Sequence, residues 1–150
     1  EATLQATYRL KLFGIEPKVA LLSHSNFGSH DTPGAQKMRK VRELLKQRMP
    51  KLEVDGEMQG DTAWDEVLRK RMMPNTTLNG RANLFVLPNI DAANITYNMV
   101  RVMTDGVAIG PILMGISKPV HILTSSATPR RVVNMTAIAA VDAQIRAQQK

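Results

Sequence analysis

Three short stretches of this 150-residue chain concentrate groups that can hold an anion. The first, Ser23-His24-Ser25-Asn26-Phe27-Gly28-Ser29, follows an apolar run and offers hydroxyls, a glycine and backbone amides, the ingredients of a phosphate cradle. It reads equally as a turn-forming loop. The second, Asn79-Gly80-Arg81-Ala82-Asn83, sets Arg81 and Asn83 just before another apolar run, where they can donate to a phosphate or an amide-containing ligand. Asn79-Gly80 is also a plain turn signal, with Arg81 a solvated charge. The third, Leu123-Thr124-Ser125-Ser126-Ala127-Thr128-Pro129-Arg130-Arg131, places hydroxyls ahead of a helix start that carries two arginines. That pattern suits a phosphate clamp, and Ser126 or Thr128 would cap the same helix in either case.

Other chemistries lack their residues. Without cysteine there is no disulfide, thiolate metal site or cysteine nucleophile. His24, His30 and His121 fall in different segments and form no HExxH, so no metal site is expected. GxxxxGK[ST], GxGxxG and GxSxG are all missing. Asp55, Glu57 and Asp61 make an acidic run; Asp55 and Glu57 would share one face of a regular strand, and Asp61 reads as a helix N-cap.

The elements that must position these loops alternate. Residues 3–13 carry apolar groups at helical spacing and stop at Gly14. Lys18–Ser23, Leu52–Met58 and Asn83–Leu87 are short apolar strands, the first of a kind usual in buried parallel sheets. Helices are expected over Ala35–Met49, Asp61–Met73 and Ala92–Met103, with a long last helix from Pro129 to about Gln148. Val107–Leu113 and Pro119–Leu123 read as extended, the first broken by Gly110-Pro111. Strands alternating with helices predict an α/β fold with a mainly parallel sheet flanked by helices and right-handed crossovers. Ligands of such sheets sit outside the carboxyl ends of the strands.

Composition sets the remaining bounds. The chain is 43% hydrophobic and 22% charged, the balance of a globular domain able to bury a core. Twenty Lys+Arg against 13 Asp+Glu give a net charge of +7, which favours anionic partners. Aromatic residues are only 4% and provide no stacking platform, so nucleic acid is not expected as a partner. No apolar stretch approaches the roughly 20 residues of a membrane span, so no membrane partner is expected either. The N-terminus has no signal-peptide pattern, and the absence of an initiating methionine suggests a fragment of something longer. Nine methionines at helical spacing suit core or dimer packing.

In order along the chain, several motifs resemble the phosphate acetyltransferase family. They are Val19-Ala20-Leu21-Leu22-Ser23 with Gly28-Ser29, Val54-Asp55-Gly56-Glu57-Met58-Gln59-Gly60-Asp61, and Ala82-Asn83-Leu84-Phe85-Val86-Leu87-Pro88. Asn94-Ile95-Thr96-Tyr97, Ile109-Gly110-Pro111-Ile112 and Gly115-Ile116-Ser117-Lys118-Pro119-Val120 complete the set. The resemblance implies that residues 18–150 form the C-terminal part of such an enzyme, largely its second lobe. Residues 1–17 would then be a helix leading in from a missing N-terminal portion.

Where active members of the family carry Asn-Asp-Leu-Ser-Arg-Gly followed by a carboxylate, this chain has His121-Ile122-Leu123-Thr124-Ser125-Ser126. Serine has become Thr124, arginine has become Ser125, and Arg131 stands where the aspartate base is expected. A guanidinium stays protonated and cannot deprotonate a thiol, so no catalytic residue is assigned. The variant run from Pro119 to Ala137 looks like the C-terminal domain of the large bacterial NADP-dependent malic enzymes. That resemblance implies a cytoplasmic regulatory domain with no cofactor of its own and with acetyl-CoA as allosteric inhibitor. It also implies self-association as a dimer or larger oligomer, and a malic enzyme core in the same parent chain that holds NADP and a divalent metal. The residues expected to meet acetyl-CoA are Thr124, Ser125, Ser126, Arg130 and Arg131, then Asn83, Tyr97 and the Gly110-Pro111 turn. A working phosphate acetyltransferase and a purely structural dimerisation module are the alternatives.

Overall fold

The first helix, α1 (Ala2–Leu12), ends as Phe13 and Gly14 turn the chain, Gly14 taking a φ of +72° that suits a residue without Cβ. In the computed structural model, which describes residues 1–148, Pro17 then leads into β1 (Lys18–Leu22). Val19, Ala20 and Leu21 are all fully buried, as a central strand with a helix layer on each face requires. Thr32 caps α2 (Pro33–Arg48), its Oγ1 accepting the Ala35 N–H at 3.4 Å, and Pro33 takes the first-turn place where no N–H is needed.

The chain continues through β2 (Glu53–Met58), α3 (Gly60–Trp64), α4 (Glu66–Met72), β3 (Leu84–Val86) and α5 (Ile90–Met103) to α6 (Pro129–Gln148). The sheet is three-stranded and parallel, in the order β2-β1-β3. Val19 lies opposite Val54 and Leu84, and the register with β2 shifts between Leu21 and Leu22.

Alternation divides the core. On one face Val19, Leu21 and Val54 pack under Met38 and Leu45 of α2, with Leu4 of α1 joining them. On the other face Ala20 and Met58 pack with Ala63 of α3, Leu78 and Ala82. Each fully buried Leu or Val contributes about 1.5–3 kcal/mol relative to exposure. The register shift breaks the alternation within β2, since Val54 and Met58 face opposite layers. Asp55 and Glu57 thus lie on an irregular stretch rather than on the regular strand expected, and both carboxylates meet arginines of α2.

Three further expectations change. The helix expected over Asp61–Met73 is two helices, because Asp65 leaves helical geometry and its carboxylate accepts the Val67 and Leu68 N–H groups at 2.8 and 3.1 Å. Gln59, not Asp61, is the N-cap of α3. Val107–Leu113 and Pro119–Leu123 are irregular rather than strands. Pro111 and Pro119 cannot donate to a ladder, Gly110 sits at φ +139°, and no neighbouring strand among the described residues pairs with either segment.

The chain forms two compact units, Glu1–Met99 and Val100 onward. The first contains the sheet. The second contains the irregular segment from Asp105 to Thr128, held on α6, where Met135 is buried. No helix among the described residues is long and apolar enough to cross a membrane.

Candidate functional site

The loop after β1 is an anion cradle that the protein fills itself. Gly28 N–H and the Ser25 hydroxyl both donate to Glu57 Oε1 at 2.8 Å, and Arg39 Nη1 of α2 donates to the same oxygen at 2.9 Å. Phe27 N–H goes to the Glu57 carbonyl, Asn26 N–H to Ser29 Oγ, and His30 N–H to Ser25 Oγ. Asn26 Oδ1 accepts from Gln59 N–H at 2.8 Å. The loop amides that sequence alone offers to a phosphate are thus spent internally, Gly28 N–H on the fully buried Glu57 carboxylate and those of Phe27 and Asn26 on a carbonyl and a hydroxyl. His24 and His30, separate in sequence, bring their rings within 5.4 Å here.

Asp55 is treated in the same way. Its Oδ1 takes Arg42 Nε at 2.8 Å, and its Oδ2 takes Thr76 Oγ1 and Thr77 N–H, both at 2.8 Å. Arg39 and Arg42 stand one helical turn apart on α2; Arg42 serves Asp55, and Arg39 serves Glu57 together with Asp31. That pairing was missed in the sequence, although two arginines spaced by three against two acids spaced by two is the signal for it.

The second candidate stretch is also occupied. Asn83 Oδ1 accepts Lys18 N–H at 2.7 Å, and its Nδ2 donates to the Glu16 carbonyl at 2.9 Å, so it fastens the amino ends of β1 and β3. Lys18 Nζ donates to the Asn79 carbonyl at 2.8 Å. Arg81 lies over the Trp64 ring, 5.0 Å from its centroid. Gly80 accepts from Arg69 and donates to Glu66, whose carboxyl is held below its ordinary range chiefly by a hydrogen bond from Lys70. Arg69 is fully buried and gives its two Nη atoms to the carbonyls of Thr62, Ala63, Leu78 and Gly80.

In the second unit two pairs of the expected residues meet, Arg131 with Gly110 and Thr124 with Ser126. Arg131 Nε donates to the Gly110 carbonyl at 2.9 Å, tying the start of α6 to the Gly110-Pro111 turn. His121 Nδ1 accepts the Leu113 N–H at 3.4 Å, so the turn is held at both ends. Thr128 Oγ1 accepts Arg131 N–H at 3.3 Å and is the N-cap; Thr124 and Ser126 hydroxyls meet at 3.0 Å. Thr124, Ser125, Ser126 and Arg130 are exposed, and Arg131 is half-buried. Hydroxyls, a helix N-terminus and two guanidiniums there present donors to an anion. A recess of about 270 Å³ in the same unit is lined by Ser117, Lys118, Pro119, Ala143, Arg146 and Ala147. Asn83 and Tyr97 belong to the first unit; Tyr97 is 43% exposed on α5. No group of three or more His, Asp or Glu among the described residues is placed to hold a metal ion.

With a parallel sheet, loops at its strand ends and a variant hydroxyl–arginine segment before the last helix, the class is defined. The chain belongs to the phosphate acetyl/butaryl transferase family, whose model matches residues 1–140. More particularly, it is 54% identical over 145 residues to the NADP-dependent malic enzyme of Escherichia coli (strain K12), covering 96% of this chain and 19% of that protein. It is 55% identical over 142 residues to the NAD-dependent malic enzyme of Rhizobium meliloti (strain 1021), covering 95% of this chain and 18% of that protein. A phosphate acetyltransferase of Paracoccus denitrificans is 42% identical over 131 residues, 87% of this chain and 41% of its own length. Among solved structures, a phosphotransacetylase from Streptococcus pyogenes superposes with a TM-score of 0.88 at 33% identity, covering 94% of this chain and 43% of that one. The chain thus spans about a fifth of the malic enzymes it matches. It is a phosphate acetyltransferase-like domain of the kind found in malic enzymes.

Proposed function

We propose that this chain is a regulatory, catalytically inactive domain that binds acetyl-CoA and thereby inhibits an attached malic enzyme in the cytoplasm. The observation that carries this reading is the segment 121–131. Where the family resemblance calls for a serine, an arginine and a carboxylate, the chain presents Thr124, Ser125 and Arg131. Arg131 is engaged at Gly110 and permanently cationic, so it favours a bound phosphate and cannot act as a base.

Acetyl-CoA would contact the Thr124–Ser126 hydroxyls and Arg130 and Arg131, with Asn83, Tyr97 and the Gly110-Pro111 turn as further contacts. Inhibition follows if the ligand binds one arrangement of the assembly more tightly than the other. NADP and a divalent metal belong to the malic enzyme core in this scheme. Identity to both an NADP- and an NAD-dependent relative leaves the nicotinamide to be set by that core.

Two observations favour other readings. The Paracoccus relative keeps the active phosphate acetyltransferase as the alternative. The apolar residues of α5, none of them buried, favour self-association through this domain. One assay separates these readings in the full-length protein: acetyl phosphate formation from acetyl-CoA and phosphate, beside malate oxidation with and without acetyl-CoA. Inhibition without acetyl phosphate supports the sensor. Acetyl phosphate formation supports the enzyme, and indifference to acetyl-CoA supports the structural module.

A further inference from the structure

The recess of about 270 Å³ in the second unit lies between the segment Ser117-Lys118-Pro119 and the last turns of α6, at Ala143, Arg146 and Ala147. Ala143 follows Arg131 by twelve residues, about 18 Å along the helix at about 1.5 Å per residue. The recess is therefore apart from the start of α6, and what binds in it is independent of the acetyl-CoA reading. Its volume falls just below the roughly 300–1,000 Å³ of sites for drug-sized ligands, so a small molecule fits it.

Arg146 is fixed in the wall before any ligand arrives. Its Nε donates to Asp142 Oδ1 at 3.0 Å, and Nη1 donates to the Ile116 and Ser117 carbonyls, both at 3.1 Å. These bonds join α6 to the segment before it and hold the guanidinium plane in place, so little side-chain freedom is left to lose on binding. Nη2 has no partner among the described residues and supplies the free donors. Lys118 is exposed and makes no hydrogen bond or ion pair among the described residues.

The charge balance selects the ligand. Asp142, 2% exposed, cancels the charge of Arg146, and the carboxyl end of a helix such as α6 carries about −0.5 of a charge. Lys118 brings the balance to about +0.5, which favours a single negative charge over a doubly charged anion. Pro119, Ala143 and Ala147 line the remainder with apolar surface, which a hydrocarbon chain covers and inorganic phosphate leaves wet.

We propose that this recess is a binding site for a short aliphatic monocarboxylate. Arg146 Nη2 and Lys118 Nζ hold the carboxylate, with the Ser117 hydroxyl beside them, and the hydrocarbon part lies on Pro119, Ala143 and Ala147. Lys118 decides the sign of the site, so removing it turns the local charge negative and excludes the anion.

Saturation-transfer NMR on the full-length protein tests this, with butyrate as the ligand. Ala147→Leu fills the recess and Lys118→Met removes the deciding charge; both positions are exposed, so both variants should fold, which thermal unfolding checks. The signal that Ala147→Leu abolishes reports this recess apart from any other carboxylate site in the protein. That signal should saturate with a Kd of about a millimolar, and Lys118→Met should weaken it at least tenfold. Equal butyrate titrations of the wild type and Ala147→Leu would overturn the proposal. Butyramide binding the recess as tightly as butyrate would refute selection by charge. Inorganic phosphate displacing butyrate more strongly than pentanoate does would refute the assignment to a carboxylate.

Discussion

Glu57 offers the sharpest test of how the loop after β1 is held. Its carboxylate is fully buried, and Oε1 accepts from Gly28 N–H, Ser25 Oγ and Arg39 Nη1 at 2.8–2.9 Å, while Oε2 is buried without a partner. Substituting Glu57→Gln keeps the shape and one acceptor but removes the charge. Charged hydrogen bonds contribute about 1.5–3 kcal/mol each against about 0.5–1.5 for neutral ones, so three weakened bonds amount to about 3 kcal/mol. Glu57→Leu removes the acceptor and strands Gly28 N–H. It should lose about 3–5 kcal/mol, the range for breaking a buried pair, because Arg39 retains Asp31 and partial access to water. Urea unfolding followed by circular dichroism should rank wild type above Gln and Gln above Leu. A double-mutant cycle with Arg39→Met should show coupling of at least about 1 kcal/mol. A Glu57→Gln variant within about 0.5 kcal/mol of wild type would refute the view that the loop closes on an internal anion.

Three further outcomes are expected. Arg69→Lys places one ammonium where two Nη atoms serve four carbonyls, leaves about two of those unpaired, and should lower stability by about 2–4 kcal/mol in the same unfolding assay. Gly56→Ala would set a Cβ 2.6 Å from the Leu21 carbonyl oxygen at φ +136°; the soluble yield and unfolding midpoint should both fall, whereas Gly34→Ala, with nothing within 4 Å, should be silent. Arg131→Glu in the full-length protein should weaken acetyl-CoA binding at least tenfold, about 1.4 kcal/mol, by calorimetric titration, and unchanged affinity would remove Arg131 from the site.

Local signals carried much of the fold. Pro33 and Pro129 open helices where proline supports the first turn, and the run Val19-Ala20-Leu21 is a fully buried central strand because both faces are covered. What failed depended on contacts distant in sequence. The register shift within β2 arises where Gly56 meets Leu21 across the ladder, and no periodicity announces it. Val107–Leu113 has strand composition, yet extended segments become strands only beside a partner. Of the expected site residues, hydrogen bonds within one unit join Gly110 to Arg131 and Thr124 to Ser126. Asn83 looked like a ligand donor because its partners, the backbone groups of Lys18 and Glu16, lie more than sixty residues earlier. Methionine divides likewise: Met38, Met58 and Met135 are core, whereas Met99 and Met103 on α5 are more than half exposed.

The decisive experiment follows malate oxidation by the full-length protein as acetyl-CoA is titrated, in parallel with a version truncated before Glu1 of this chain. Saturable inhibition of the intact protein, lost in an otherwise active truncated version and unaccompanied by acetyl phosphate, is the expected result. Equal inhibition of both forms would place the sensor elsewhere, and acetyl phosphate formed by the intact protein would restore catalysis to Thr124–Arg131.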